Sequence, residues 1–245
     1  MSLPHTIVTG GGTGAGAAIA KAFAEAGAPV TILGRREGPL AEQGLPYVVC
    51  DVTDPDAVTA AFAQARAERG PIRTVIANAG SADSAPFAKL TPDALRAHLA
   101  VNLEGTAYCF QSALPDMVEA GGGRMIAIAS TAGLKGFAYV AAYCAAKHGV
   151  VGLCRALALE LAPKGITVNA ICPGYLDTPL TDRTIANITQ KTGMTADDAT
   201  AQLTMGNPQS RLIDPAEVAQ TALWLASDGA RSVNGHALSI SGGEI

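Results

Sequence analysis

TIVTGGGTGAG, residues 6–16, couples a strand-length apolar run to a string of glycines and small residues, and its reading decides the fold. The run before Gly10 has the β-rich character of a buried strand, and the alanines after Gly14 open a helix. Gly10 permits a tight turn, Gly14 lets a pyrophosphate approach the backbone, and Gly16 lets the helix pack closely on the strand. The phosphates would then sit at the helix N-terminus, where unpaired amides and the helix dipole favour an anion. Gly10, Gly12, Thr13, Gly14 and Gly16 are therefore candidate cofactor contacts. A merely tight turn would use the same glycines.

Working outward, similar apolar runs recur at VTILG (30–34), YVVCD (47–51), TVIANAG (74–80), RMIAIAS (124–130), ITVNAICPG (166–174) and ALSISGG (237–243). Their apolarity is continuous rather than alternating, as in parallel strands buried on both faces. Helical segments lie between them, at about 14–27, 54–69, 91–119, 138–163 and 215–228. Asp54-Pro55, Thr91-Pro92 and Asp214-Pro215 each place a capping residue before a proline at the first helical position. The pattern predicts an α/β fold: one doubly wound domain over residues 1–245, with a seven-stranded parallel sheet and helices on both faces. Its ligand crevice would lie beyond the carboxyl ends of the strands. The more polar stretch 179–210 is expected to form a lid over that crevice; a loose connection would read similarly.

A net charge of -4, with 49% hydrophobic and 16% charged residues, suits a soluble chain with a sizeable core and argues against nucleic acid or anionic membrane as partners. The glycine turn follows Met1 so closely that no secretory signal is expected, and no apolar run is long enough to span a membrane. The five cysteines form no CxxC pair, so neither a disulfide framework nor a metal site is expected, and a cytoplasmic location follows.

The second apolar run ends Leu33-Gly34-Arg35-Arg36, with no acid before Glu37. An acid there would bind the ribose hydroxyls of NAD, whereas a guanidinium matches the 2′-phosphate of NADP in a charge-assisted fork. Arg35 and Arg36 thus favour NADP(H) over NAD(H), with solvated loop charges as the alternative. Asp51, beside Val52, could accept from an adenine amino group. Asn78, Ala79 and Gly80 place small residues where backbone must come near a cofactor, although plain turn chemistry would serve for either group.

Ser130 ends the fifth run, and Tyr143 and Lys147 follow at i and i+4 of a later helix, on one face. A phenol of pKa ~10 is a poor acid–base at neutral pH, and a nearby ammonium would favour the phenolate and bring that pKa toward the working range. Ser130 could hydrogen-bond a substrate oxygen beside the phenol. Singly, each has a plainer reading: a buried tyrosine, a snorkelling lysine, a capping serine.

Together with Thr9-Gly10-x3-Gly14-x-Gly16, Asn78-Ala79-Gly80, Asn102 of VNLEG and Pro173-Gly174 followed by Thr178, this arrangement resembles the short-chain dehydrogenase/reductase family along essentially the whole chain. The resemblance implies a Rossmann-type fold and an Asn102–Ser130–Tyr143–Lys147 tetrad. Tyr143 would be the acid–base and Ser130 would polarise the carbonyl. Lys147 would bind the nicotinamide ribose and lower the Tyr143 pKa, while Asn102 would kink its helix and hold a relay water. Residues 171–178 would line the nicotinamide pocket, with Pro173, Gly174 and Thr178 as cofactor contacts. A homotetramer acting on a small-molecule alcohol or ketone is also implied. The stretch 130–162 looks like members acting on 3-oxoacyl or 3-hydroxyacyl thioesters; polyol, steroid and cyclic-alcohol dehydrogenases are alternatives, and a cofactor-sensing regulator without catalysis is a remoter one. Lys135 and Arg183 could meet an acidic carrier or a CoA phosphate, or be solvated charges. The chain departs from the family in reading GAG for the commoner GIG, ANAG for NNAG, and Ser241 where aspartate is frequent.

Overall fold

The TIVTG run forms the central strand β1 (His5–Thr9), every residue of it buried. It pairs in parallel with β2 (Val30–Gly34) on one side and β4 (Ile72–Ala77) on the other in a computed structural model that describes residues 3–245. Beyond these lie β3 (Tyr47–Val49), β5 (Gly123–Ile128), β6 (Ile166–Pro173) and β7 (Ala237–Ile240), in the order β3-β2-β1-β4-β5-β6-β7. All neighbours are parallel. The chain is therefore the expected seven-stranded, Rossmann-like sheet, with its order reversing between β1 and β4.

Both faces of the sheet are covered, which is why its strands read as unbroken apolar runs. Successive strand residues point to opposite faces. Ile7, Val75 and Met125 join one core with α3 (Pro55–Arg69), α5 (Gly105–Glu119) and α6 (Ala141–Leu161). Val8, Ile76 and Ile126 join the other, with α1 (Gly14–Glu25) and α9 (Pro215–Ala226). Cys50, Cys109, Cys154 and Cys172 are buried in the first core. Asp54, Thr91 and Asp214 each cap a helix that begins with proline, as their spacing predicts.

The structure differs from the sequence reading in three places. Several strands stop short of their polar ends: Asn78–Gly80 and Ser130 lie past β4 and β5, where side-chain bonds replace the ladder. A short α2 (Glu37–Ala41) follows β2. The stretch 91–119 is not one helix: α4 (Pro92–Leu99) runs into a π turn at Ala100–Glu104 before α5. Its cause is visible at Asn102, whose carboxamide donates to the Ser81 and His98 carbonyls, at 3.0 Å each, and pulls the helix out of register. The stretch 179–210, expected to form a lid, carries two helices, α7 (Pro179–Thr192) and α8 (Ala196–Thr204). Just before α6, Tyr139 takes a positive φ of 68°, and its carbonyl accepts the Ala85 amide at 2.8 Å.

Gly16 meets its expected packing demand: a Cβ there would collide with the Gly10 carbonyl oxygen and the Asn78 carboxamide. Gly16→Ala is expected to lower the unfolding free energy by about 2 kcal/mol, because rigid backbone must move to admit the methyl. Urea denaturation measures it, and an unchanged midpoint would show that the turn yields freely.

Candidate functional site

Beyond the carboxyl ends of the strands lies a cleft of about 830 Å³. At its floor the glycine turn leaves β1 with Gly10 and Gly14 at φ of +65° and +55°. Thr13 stands at the N-cap of α1 without a side-chain capping bond, and no acid occupies the first turn. The first amides of α1 thus keep their positive potential, which suits a pyrophosphate. The turn is tied to β4: the Thr9 hydroxyl accepts the amides of Asn78 and Ala79 at 3.0 Å, and the Asn78 carboxamide donates to the Thr9 carbonyl at 2.9 Å.

Of the sequence candidates, Gly10, Gly12, Thr13, Gly14, Arg35, Arg36, Val52, Asn78, Ala79, Gly80, Asn102, Ser130, Tyr143, Lys147, Pro173, Gly174 and Thr178 all line this cleft. Gly16 and Asp51 do not. Gly16 is consumed by helix–strand packing. Asp51 folds back on its own loop: one oxygen accepts from the amide and hydroxyl of Thr53 at 3.0 and 2.9 Å, and the other lies 3.8 Å from Arg35. Glu37, the acid nearest the end of β2, is held outside by the Tyr47 hydroxyl at 3.1 Å. Lys135 also lies off the cleft, in an ion pair with Glu244 at 2.9 Å, whereas Arg183 is on its rim. Ser241 is buried, with its hydroxyl 2.8 Å from that of Ser239.

The remaining polar cluster gathers Ser130, Tyr143, Lys147 and Asn102. The Ser130 oxygen accepts the Ala132 amide at 3.1 Å, leaving its proton to donate elsewhere. Lys147 is buried and donates to the Ile128 carbonyl at the end of β5, at 2.8 Å; its ammonium lies 5.6 Å from the centroid of the Tyr143 ring. Gly80 makes this convergence possible, since a Cβ there would fall 2.6 Å from Asn102 Oδ1 and 3.7 Å from Lys147 Nζ. Burial lowers the Lys147 pKa to about 8. Burial likewise raises Tyr143 to about 12, opposed by the Ser130 hydroxyl. The expected lowering of the phenol by the ammonium does not appear in this geometry: burial dominates the Tyr143 shift, and the ammonium donates to the Ile128 carbonyl.

Several cleft residues carry no sequence signal of their own. Phe137, Val140 and Leu180 give it apolar walls; Tyr175, within the expected 171–178 lining, adds a phenol. Asn187 of α7 donates to the Ser84 hydroxyl at 3.3 Å, closing α7 over the loop after β4. Among the described residues no cluster of His, Cys, Asp or Glu could hold a metal, and no helix is long and apolar enough to cross a membrane.

Comparison with known proteins agrees with this geometry. The family model described as enoyl-(acyl carrier protein) reductase matches residues 10–244. Cis-4-hydroxycyclohexanecarboxylate dehydrogenase of Sinomonas cyclohexanicum is 39% identical, over 97% of this chain and 94% of that one. The 3-oxoacyl-[acyl-carrier-protein] reductase MabA of Mycobacterium tuberculosis is 36% identical, over 97% and 91%. Among solved structures, an actinorhodin polyketide ketoreductase variant with NADPH superposes with a TM-score of 0.94 at 32% identity, covering 100% of this chain and 99% of that one.

The burial of Lys147 has a measurable consequence. Its pKa falls from 10.5 to about 8 on folding, so between those values the unfolded chain binds more protons and stability climbs with pH. Below that window the folded state bears the full cost of the ammonium. Lys147→Met is expected to be more stable than the wild type at pH 7 by about 1–3 kcal/mol and to lose that advantage at high pH. Urea denaturation at pH 7 and above 10 measures both; equal stability at pH 7 would mean that the ammonium is well solvated.

Proposed function

The chain belongs to the short-chain dehydrogenase/reductase family, whose members are NAD(P)-dependent alcohol/ketone oxidoreductases, and we propose that Tyr143 is its acid–base and Ser130, Lys147 and Asn102 are its partners. The observation that carries this reading is one cleft joining an acid-free, uncapped helix N-terminus to the Ser130–Tyr143–Lys147 cluster. When bound, NAD(P)(H) supplies hydride transfer at nicotinamide C4. Ser130 donates its free proton to the substrate oxygen and holds it beside the phenol. Tyr143 gives that oxygen a proton in reduction and takes one in oxidation. A phenol raised by burial is protonated at neutral pH, ready for the reductive direction. Lys147 would hold the hydroxyls of the nicotinamide ribose. Asn102 keeps the bend that brings Lys147 and Gly80 together.

NADP(H) is the preferred cofactor in this reading. Arg35 and Arg36 line the adenosine end, while Glu37 is occupied by Tyr47. The 3-oxoacyl thioester class is the favoured substrate: Phe137, Val140 and Leu180 offer an apolar path, and two of the relatives reduce ketoacyl or polyketide groups by their names. The dehydrogenase of a hydroxycyclohexanecarboxylate favours a cyclic alcohol as the second reading. Helices α7 and α8 act as the lid, through the Asn187–Ser84 contact. A cytoplasmic homotetramer of one-domain subunits completes the proposal.

Absorbance at the nicotinamide band, across acyl thioesters, cyclic alcohols and ketones with both cofactors, tests the whole reading. Tyr143→Phe is expected to cut kcat by about 10²–10⁴-fold while the protein stays folded. Near-normal turnover in that variant would refute the assignment, and cofactor binding without turnover on any substrate would favour a sensing role. Arg36→Ala is expected to raise the KM for NADPH by about tenfold and leave that for NADH nearly unchanged. Equal effects on the two cofactors would count against a 2′-phosphate contact.

A further inference from the structure

The segment after β7, SGGEI at 241–245, is packed against three separate pieces of chain. Gly242 and Gly243 have φ of +64° and +99°. The Asn207 side-chain oxygen occupies the place of a Cβ on Gly242, and Pro208 Cγ lies 3.4 Å from that of Gly243. Asn207 also donates to the Arg211 carbonyl at 2.9 Å and accepts the Gln209 amide at 2.8 Å, so the exit from α8 is folded onto this segment. Glu244 comes next. Its side chain is only 8% exposed, and its Oε1 lies 2.9 Å from Lys135 Nζ. The same oxygen would be 2.7 Å from a Cβ on Gly206, and Oε2 3.5 Å from one on Gly174. The Lys135 ammonium in turn lies 5.0 Å from the centroid of the Phe137 ring.

Gly174 and Phe137 are walls of the cleft, and Gly206 follows α8 directly. A carboxylate this enclosed depends on its cation, since removing either partner leaves an uncompensated charge. Glu244 fits against Gly206 only because that residue lacks a side chain, and it packs in ordinary contact beside Gly174. We propose that Glu244 is a positioning residue for the substrate: its pairing with Lys135 locks the Phe137 loop, the turn at Gly174 and the exit of α8 into one register around the outer half of the cleft. The proposal rests on the reading of that half as the substrate site. It also gives the half-exposed Lys135 a partner within the chain.

The test uses the full chain with Glu244→Gln and Lys135→Met, and Lys135→Arg as the conservative variant that keeps the pair. Hydrogen exchange read on peptides covering 131–140 and 205–211 is expected to quicken in both of the first two variants and to stay near wild type in Lys135→Arg. The KM for the best ketone substrate is expected to rise by about tenfold with kcat little changed. Faster exchange confined to 241–245, or an unmoved KM in both variants alongside normal wild-type turnover, would overturn the role of Glu244. A wild type that turns over no alcohol or ketone would instead sink the reading of the cleft, whatever the exchange shows.

Discussion

The Thr9 hydroxyl accepts the amides of Asn78 and Ala79, and the Asn78 carboxamide returns to the Thr9 carbonyl, so the ends of β1 and β4 are held together where the sheet order reverses. Crossover helices leave opposite faces of the sheet at that point, and the crevice between them is unavoidable. What the tie adds is a fixed floor. Gly16 packs beneath it, Gly80 continues from it, and Lys147 reaches back to the Ile128 carbonyl at the end of β5. Lys147 and Ser130 are therefore referenced to the end of β5, while Asn102 is held by the Ser81 and His98 carbonyls. That is how a site spread from residue 10 to residue 178 keeps its geometry.

Burial sets the electrostatics of the cluster. Both Tyr143 and Lys147 are pushed toward their neutral forms, the phenol to about 12 and the ammonium to about 8. Desolvation dominates both shifts; the Ser130 hydroxyl opposes it only in part at Tyr143. The arrangement costs folding free energy, as groups kept for chemistry commonly do. The surrounding small residues, Gly80 and Ala146 among them, allow that close packing.

Much of this was legible in the sequence because it is local. The glycine turn, the apolar strand runs, the Asp-Pro and Thr-Pro helix starts, and the i, i+4 spacing of Tyr143 and Lys147 are all set within a few residues. The failures share the opposite character. Asp51 has the right position for an adenine contact but is captured by Thr53 and Arg35. The kink at Asn102 is expected from the family resemblance alone; the partner that holds it, the Ser81 carbonyl twenty-one residues away, is not. Asn187 with Ser84, and Lys135 with Glu244, are joined only by the folded chain. No composition or periodicity announces such pairs, and they shape the outer half of the cleft, where the choice of substrate is made.

The four cysteines of the core beneath α3, α5 and α6 offer a different view of the molecule. Burial raises all of them, Cys50 and Cys172 to about 11 and Cys154 to about 12, with Cys109 higher still. Of these, Cys109, Cys154 and Cys172 lie away from the cleft, and thiols that are protonated and shut from solvent are inert to alkylating reagents until the packing around them opens, whereas Cys50 lies on the cleft wall. Two belong to helices, Cys109 to α5 and Cys154 to α6, while Cys50 follows β3 and Cys172 lies in β6. The chain thus carries its own set of clocks: the rate at which each thiol becomes reactive records how often that part of the helical layer lifts from the sheet under the floor of the cleft.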